Sequence, residues 1–279
     1  MIQYLYLGRV GYAEALALQQ EMVELRHQGR IDNVLLLLEH PPVLTLGRNA
    51  RRSNILATDE MLARKGVSIH EINRGGDVTY HGPGQLVGYP IFDLRSLTNA
   101  NGSRLGPVDY VRRMEEALIR LCAGYGVITG RVPGRTGVWT TALSSSLEGS
   151  AGVGGGEKKI GAIGVHVSRG ITSHGFALNV TTDLRDFQWI VPCGIADREV
   201  TSLEIEMRPA SAPALEDAAD AAARHFGHVF GEQVLAVESL EALRAVSNAE
   251  VEQIGVPMRV PEEVERILDP NSANKPVRA

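Results

Sequence analysis

The sequence predicts an α+β fold, a single domain in which a mixed β-sheet is flanked by helices, and three observations predict it. Hydrophobic residues make up 44% of the 279 residues, which is enough for a sizeable core. Short strand patterns are interspersed with longer amphipathic helix patterns. Glycine is enriched to 30 residues, mostly in clusters between those patterns, where tight turns and close backbone approach need it. We expect the strands to pair with their neighbours in sequence.

The first half of the chain begins with an amphipathic helix that Gly29 ends. Pro41 and Pro42 separate two apolar strand patterns, and Thr58 is placed to cap a short helix that carries two acidic residues in its first turn. Four glycines and a proline predict a loop or tight hairpin before the next strand. The predicted elements are a helix over 12–28, strands over 33–39, 43–47, 67–73 and 86–92, and the glycine-rich loop over 74–84.

The second half contains the clearest helix, residues 107–125, which starts at Pro107 and carries one apolar face. Strand patterns around Ser168-Arg169-Gly170 predict a hairpin. The Ser- and Gly-rich residues 143–157 predict a flexible insertion. The other predicted elements are strands over 137–141, 160–167 and 171–180, helices over 213–230, 238–246 and 261–268, and a loose tail.

Composition and charge exclude several classes of function. The net charge of −5 shows no basic excess of the kind that binds nucleic acid. The longest apolar run, 34–38, is too short to span a bilayer, and the N-terminus lacks a signal-peptide pattern. The two cysteines form no disulfide framework, so we expect a cytoplasmic protein. The chain has no phosphate-binding loop and no zinc-ligand spacing, so we expect no cofactor and no metal.

The two cysteines differ in their surroundings. Cys122 lies on the apolar face of the 107–125 helix, where a free cysteine acts as a small hydrophobe. Cys193 lies between Pro192 and Gly194, in a turn that can present a thiol to a ligand, although most lone cysteines are packing residues. Since a free thiol is mostly protonated at neutral pH, a reactive Cys193 needs a nearby cation. The candidates are Lys158, Lys159, His81, His166 and His174.

Acyl chemistry also needs backbone N–H groups that approach a carbonyl oxygen closely. Two glycine-containing segments can supply them, Arg74–Gly84 and His174–Ala177. Each can equally be an ordinary hairpin turn, and the residues by themselves leave both interpretations open.

Several motifs, in order and spacing, resemble those of the lipoyl(octanoyl) transferases, a family with the lipoate/biotin protein ligase fold. The resemblance covers roughly residues 1–230. The matching motifs are His40–Arg48 (HPPVLTLGR), Arg74–Leu86 (RGGDVTYHGPGQL), Tyr89–Ile91, Gly137–Trp139, Lys159–Val165, Thr172–Asn179 (TSHGFALN), Pro192–Gly194 and Val200–Leu203.

The resemblance implies a catalytic domain over 1–230, followed by a helical extension and tail over 231–279. It implies transfer of an octanoyl group from octanoyl-acyl carrier protein to a lysine of a lipoyl domain, through a thioester on Cys193. Acceptors of this kind are 2-oxoacid dehydrogenase E2 subunits and the glycine cleavage H protein. Lys159, which precedes Ile160 as in the motif, is implied to lower the pKa of Cys193. The implied acyl-binding residues are Arg74, Gly75, Gly76, Asp77, Val78, Thr79, Tyr80, His81, Ala162, Ile163, Gly164, Gly175, Phe176 and Ala177.

Three alternatives remain at this stage. An ATP-dependent lipoate- or biotin-protein ligase shares the fold but activates a free acid. An amidotransferase moves lipoyl or octanoyl groups between carrier domains. A non-catalytic protein binds acyl groups without turnover. The acidic donor also needs a basic docking patch, for which Arg48, Arg51 and Arg52 are the candidates, although they can equally be solvated surface charges.

Overall fold

The computed structural model describes residues 1–99, 101–140, 156–191 and 199–244. Their strands form two sheets, and helices cover both faces of the larger one. The strands are β1 (Ile2–Arg9), β2 (Asn33–Glu39), β3 (Val43–Leu46), β4 (Ser68–Glu71), β5 (Val78–His81), β6 (Gln85–Ile91), β7 (Thr129–Val132), β8 (Arg135–Thr140), β9 (Lys159–Ser168), β10 (Ile171–Asn179) and β11 (Val234–Ala236). The helices are α1 (Tyr12–His27), α2 (Asp59–Arg64), α3 (Pro107–Gly124), α4 (Leu203–Glu206) and α5 (Leu215–Phe230), with 3-10 turns at Arg52–Asn54 and Leu184–Trp189.

The larger sheet has the strand order β11-β1-β2-β6-β10-β9-β8-β7. Its β1 pairs in parallel with β2 and β11, whereas the other pairs are antiparallel. The predicted mixed sheet and α+β class are therefore confirmed. The expectation that strands pair with sequence neighbours holds for β9–β10 but is wrong for β6, which lies between β2 and β10. All seven residues of β6 are buried, so this strand needs a neighbour on each side.

The smaller sheet has the order β4-β3-β5. Strand β5 lies inside the glycine-rich stretch that we predicted as a loop or hairpin. Its four residues are all buried and pair with β3 in antiparallel register. The flanking glycines favour a loop in the sequence pattern, and the strand forms because β5 pairs with β3. Strand β7 was also not predicted, because its four residues show no apolar alternation.

The main apolar core lies between the larger sheet and the helix pair α3 and α5. Phe92 on the sheet side packs edge-on against Phe226 and Phe230 of α5. On the opposite face, Ala15 and Met22 of α1 pack with apolar residues of β2, β6 and β10. The short helix α2 is capped as predicted, because the Thr58 hydroxyl accepts a hydrogen bond from the Met61 N–H at 3.2 Å.

Several predictions fall outside the described residues. These are the helix at 261–268, most of the 143–157 insertion and the tail. The division into 1–230 and 231–279 stays a prediction, although β11 from beyond residue 230 adds an edge strand to the larger sheet. Within the described ranges, no helix combines the length and apolar character needed to cross a bilayer.

Candidate active site

A narrow cavity lies where the smaller sheet meets strands β6, β9 and β10 of the larger one. The two layers come close because glycines face each other across the gap. The Gly75 N–H donates to the Val165 carbonyl of β9 at 2.9 Å, and a Cβ on Gly164 would lie only 2.8 Å from the Gly75 carbonyl oxygen. Side chains larger than hydrogen at residue 164 would therefore push the layers apart. We call this space the acyl cavity, after the ligand that the sequence predicts.

Twelve of the fourteen residues that the sequence predicted for acyl binding line this cavity. They come from three separate stretches of the chain, which the fold brings together. These twelve are Arg74, Gly75, Gly76, Asp77, Thr79, His81, Ala162, Ile163, Gly164, Gly175, Phe176 and Ala177.

The other two, Val78 and Tyr80, face away from the cavity. Because side chains alternate along β5, they lie on the opposite face from Thr79 and His81, in a separate apolar cluster. The Tyr80 hydroxyl donates to Asp186 at 2.6 Å, and its ring packs edge-on against Trp189. Their contacts support the wall of the cavity from behind.

Residues outside the predicted acyl-binding set also line the cavity. Tyr12 of α1, Val87 and Tyr89 of β6, and His174 of β10 all contribute to its lining. Tyr89 and His174 lie in the recognised motifs, so that signal was available. Tyr12 carries no local signal, because only the packing of α1 against the sheets brings it to the cavity.

Arg74 is the buried cation of the site. Its guanidinium donates to the Thr45 carbonyl at 2.8 Å, to the Thr45 hydroxyl at 2.9 Å and to the Gly75 carbonyl at 3.0 Å. These bonds hold the start of the glycine-rich stretch against β3. Asp77 holds its other end, because its carboxylate accepts from the Asn54 amide at 2.5 Å and from the Val78 N–H at 2.7 Å.

Three buried imidazoles surround the cavity, and all are neutral at physiological pH. Burial, the largest cause, lowers the pKa of His40 to about 4, that of His81 to about 3 and that of His174 to about 4. His40 is held between the Val10 carbonyl and the Tyr89 hydroxyl, each 2.7 Å from a ring nitrogen. Neutral imidazoles add no further positive charge beside the buried Arg74 guanidinium.

A chain of hydrogen bonds leads from His81 out of the cavity. The His81 Nδ1 lies 2.8 Å from the Gln85 carbonyl oxygen, the Gln85 amide donates to Asn179 at 2.9 Å, and the Asn179 amide donates to the Thr201 carbonyl at 2.9 Å. Since the Gln85 oxygen can only accept, His81 carries its proton on Nδ1. The chain joins the cavity to the segment that begins at Glu199.

Lys159 lines a smaller pocket beside the acyl cavity. Three residues, Thr79, Ala162 and Ala177, line both spaces. The Lys159 ammonium lies 5.2 Å from the centroid of the Trp139 ring on β8. Lys158 differs, because its ammonium pairs with the exposed Glu199 carboxylate at 3.2 Å. The structure thus places Lys159, rather than Lys158, next to the cavity.

Cys193 lies outside the described residues, but the chain is described on both sides of it. Before it, the Val191 N–H donates to the Asn54 carbonyl at 2.8 Å. After it, the Lys159 N–H donates to the Glu199 carbonyl at 2.9 Å, and the Thr201 N–H donates to the Lys159 carbonyl at 2.9 Å. The described chain that follows Cys193 is therefore hydrogen-bonded to the backbone of Lys159.

Cys122 is a core residue, as predicted. Its side chain is fully buried in α3, and burial raises the pKa of its thiol to about 12. Such a thiol stays protonated and packs as a small apolar group.

The three candidate docking arginines differ in their pairing. Arg48 and Arg51 are exposed, and their backbone N–H groups bond to the Arg74 carbonyl at 3.0 Å and to the Asp77 carboxylate at 3.4 Å. Both therefore lie at the rim of the acyl cavity. The guanidinium of Arg52 instead pairs with Asp59 on the surface. Across the described ranges, no group of three or more His, Cys, Asp or Glu is placed to hold a metal.

Comparisons with known proteins agree with this geometry. Residues 11–227 match the family described as the lipoyl protein ligase A/B catalytic domain. An octanoyltransferase of Acidobacterium capsulatum is 65% identical over 240 residues, which cover 86% of this chain and 94% of that protein. An octanoyltransferase of Koribacter versatilis is 51% identical over 267 residues, which cover 96% of this chain and 97% of that protein.

Solved structures share the fold at low sequence identity. A bipartite lipoate protein ligase from Thermoplasma acidophilum has a TM-score of 0.63 at 15% identity and covers 90% of this chain and 92% of its own. A lipoate-protein ligase A bound with ATP has a TM-score of 0.62 at 14% identity and covers 91% of this chain and 95% of its own. These likenesses confirm the predicted ligase-like fold.

Proposed function

The chain belongs to the lipoyl protein ligase A/B catalytic domain family and is an octanoyltransferase of protein lipoylation, and on this basis we propose that it carries the octanoyl group as a thioester on Cys193. The donor is octanoyl-acyl carrier protein. The acceptor is a lysine of a lipoyl domain, as in 2-oxoacid dehydrogenase E2 subunits or the glycine cleavage H protein. The reaction takes place in the cytoplasm, where reducing conditions keep Cys193 a free thiol.

The observation that carries this proposal is the position of Lys159. Its pocket shares Thr79, Ala162 and Ala177 with the acyl cavity, and its backbone bonds Glu199 and Thr201 in the described chain that follows Cys193. An ammonium group at this position stabilises a thiolate that attacks an acyl group entering the cavity.

In the first half-reaction, the Cys193 sulfur attacks the carbonyl carbon of the donor thioester. The new carbon–sulfur bond forms, the bond to the carrier sulfur breaks, and the carrier thiol leaves with a proton from the Lys159 ammonium, which becomes a neutral amine. A backbone N–H group of the glycine-rich stretch at Gly76 stabilises the negative charge on the oxygen in the transition state, since the Gly75 N–H is bonded to Val165 and residues 176 and 177 are paired with β6 and β9.

In the second half-reaction, the neutral amine of the acceptor lysine attacks the octanoyl-Cys193 carbonyl carbon. An amide bond forms, the Cys193 sulfur leaves, and Lys159 takes the proton that the amine loses. The amide is more stable than the thioester, so the transfer needs no ATP.

The test is the intact mass of the protein after mixing with octanoyl-acyl carrier protein in the absence of ATP. We expect a gain of one octanoyl group that apo lipoyl domain then discharges, and no gain in Cys193→Ser. Cys122→Ser is the matched control and should acylate normally, because Cys122 is buried in the core. Octanoylation that requires ATP and free octanoate, with no adduct on Cys193, would instead establish a ligase.

A further inference from the structure

The acyl cavity has an orientation along the strands. Its end near Lys159 lies level with Asn179 of β10 and Gln85 of β6, which are partners in register. Ala177 and Val87, also partners in register, line the acyl cavity, and His174 lines it three residues away on β10. Since an acyl carbonyl must lie near Lys159 and Cys193 to react, the hydrocarbon tail extends toward His174.

The length of this path matches an eight-carbon chain. Ala177 lines both the Lys159 pocket and the acyl cavity, and His174 lies three residues earlier on the same strand. Three strand residues span roughly 10 Å. That is close to the length of an extended octanoyl chain, so its terminal methyl group reaches the level of His174.

A second cavity of about 230 Å³ lies beyond His174. Apolar side chains of Leu16, Val23 and Ile171 line part of it, together with polar residues that include His166 and Asn73. His174 lines both the acyl cavity and this second cavity, so its side chain stands between them.

The side chain of His174 is held across the gap between the two layers. Its Nε2 lies 2.7 Å from the carboxamide oxygen of Asn73, which is in the chain between β4 and β5. Its backbone N–H donates to the Gln19 side chain of α1 at 2.9 Å. His174 is 3% exposed and adopts a left-handed backbone conformation with φ of 55°. Asn73 thus holds the imidazole of His174, and Gln19 holds its backbone.

We propose that the hydrogen-bonded pair His174 and Asn73 is the end wall of the acyl cavity and limits the length of the acyl chain that the enzyme accepts. This proposal rests on the proposed octanoyl transfer and assigns His174 as its specificity-determining residue. A chain longer than the path meets the imidazole, and it can extend further only by displacing a buried side chain that is hydrogen-bonded to Asn73.

The test variant is His174→Gly, which removes the imidazole and keeps the left-handed backbone free of strain. It joins the two cavities, so a longer tail can lie along Leu16, Val23 and Ile171. We expect kcat/KM for dodecanoyl-acyl carrier protein, divided by that for the octanoyl donor, to rise roughly tenfold or more over wild type, since sheltering only two of the four additional methylenes from water corresponds to about that preference. Asn73→Ala, which frees the ring without removing it, should give a smaller rise.

The control is His166→Ala, because His166 lines the second cavity but not the acyl cavity. Its chain-length ratio should equal that of wild type. Thermal melting of each variant checks the fold, and Asn73→Ala decides the question if His174→Gly does not fold, because Asn73 is exposed. Unchanged ratios in both wall variants, or an equal rise in His166→Ala, would overturn the proposal.

Failure of the inference and failure of the proposed function give different results. If wild-type protein forms no octanoyl adduct with the octanoyl donor, the thioester mechanism is wrong, and the proposed limit on acyl-chain length fails together with it. If wild type forms the adduct and the wall variants keep the wild-type chain-length ratio, octanoyl transfer stands and only the end wall is rejected.

Discussion

The Lys159 ammonium lies over the face of the Trp139 ring, 5.2 Å from its centroid. The two residues are partners in register between β8 and β9. Gly137, two residues earlier, leaves room for the lysine side chain, since a Cβ there would lie 2.9 Å from the Lys159 Cε. Strand β8 therefore determines where the Lys159 side chain lies relative to the acyl cavity.

Replacing the indole should weaken catalysis through Lys159. A cation over an aromatic ring gains about 0.5–2 kcal/mol. We expect Trp139→Leu to lower the single-turnover rate of octanoyl transfer roughly three- to thirtyfold, and Trp139→Phe, which keeps a ring, to lose less. Both are measured below their melting temperatures, with KM recorded separately. Equal losses in the two variants would show that Trp139 acts through packing and not through its ring.

The close packing around Gly137 can be tested by comparing an alanine at this position with an alanine at Gly134. Gly137 has φ of 123°, and a Cβ there would lie 2.6 Å from the Gly161 carbonyl oxygen. Gly134 also has a positive φ, of 75°, but a Cβ there would meet nothing within 4 Å. We expect Gly137→Ala to lower the free energy of unfolding by about 3 kcal/mol and to reduce kcat. Gly134→Ala should cost about 1 kcal/mol and leave kcat unchanged. Similar costs in urea melts would refute the steric argument.

The hydrogen-bond chain through Asn179 should position the segment that follows Cys193. Asn179→Leu removes the buried partner of the Thr201 carbonyl, at a cost of about 1–3 kcal/mol, and leaves the Gln85 amide with only the Tyr80 carbonyl as acceptor. We expect kcat to fall more than KM changes. Asn33→Leu is the control, because Asn33 is equally buried and bonds the Asp93 N–H, far from the site. If both variants lower kcat alike, the hydrogen bonds of Asn179 stabilise the fold and do not specifically position the segment that follows Cys193.

The buried imidazoles predict a loss of stability in acid. The pKa of His40 is lowered to about 4 from 6.5. Between these values the unfolded chain binds a proton that the folded chain does not. The stability that this pKa difference contributes is therefore present above pH 6.5 and is lost as the pH falls to about 4. It amounts to about 3 kcal/mol of unfolding free energy for His40.

Urea melts between pH 7 and 4 measure this dependence. His40→Gln should flatten the dependence of the unfolding free energy on pH, even though the variant is less stable at pH 7. The half-exposed His27 at the end of α1 provides the control, and His27→Gln should keep the wild-type slope. A wild-type slope in His40→Gln would contradict the assignment.

Charge reversal at Arg51 tests whether this residue helps to dock the acidic carrier-protein donor. Arg51→Glu changes the net charge by two at the rim of the acyl cavity. We expect KM for the carrier-protein donor to rise and its dependence on salt concentration to weaken. Arg30→Glu makes the same charge change at an exposed position after α1. An equal response from the two variants would mean that total charge, and not a docking patch, sets the affinity.

Local patterns predicted much of this protein. The amphipathic helices α3 and α5 and the β9–β10 hairpin follow from periodicity, which depends only on residues near each other in the chain. The glycine-rich stretches were recognised as site segments for the same reason, since motif residues keep their order and spacing. Twelve of fourteen predicted acyl-binding residues do line one cavity.

Only the tertiary structure decided how these segments meet. Pairing with distant strands decides three features: β5 is buried, Val78 and Tyr80 face away from the acyl cavity, and β6 lies between β2 and β10. Contacts such as Lys159 with Trp139 and His174 with Asn73 join residues 20 and 101 positions apart. The amino-acid order therefore determined the elements and the chemistry of the site. The closed end of the cavity exists only after both sheets have packed, because no single segment contains both of its sides.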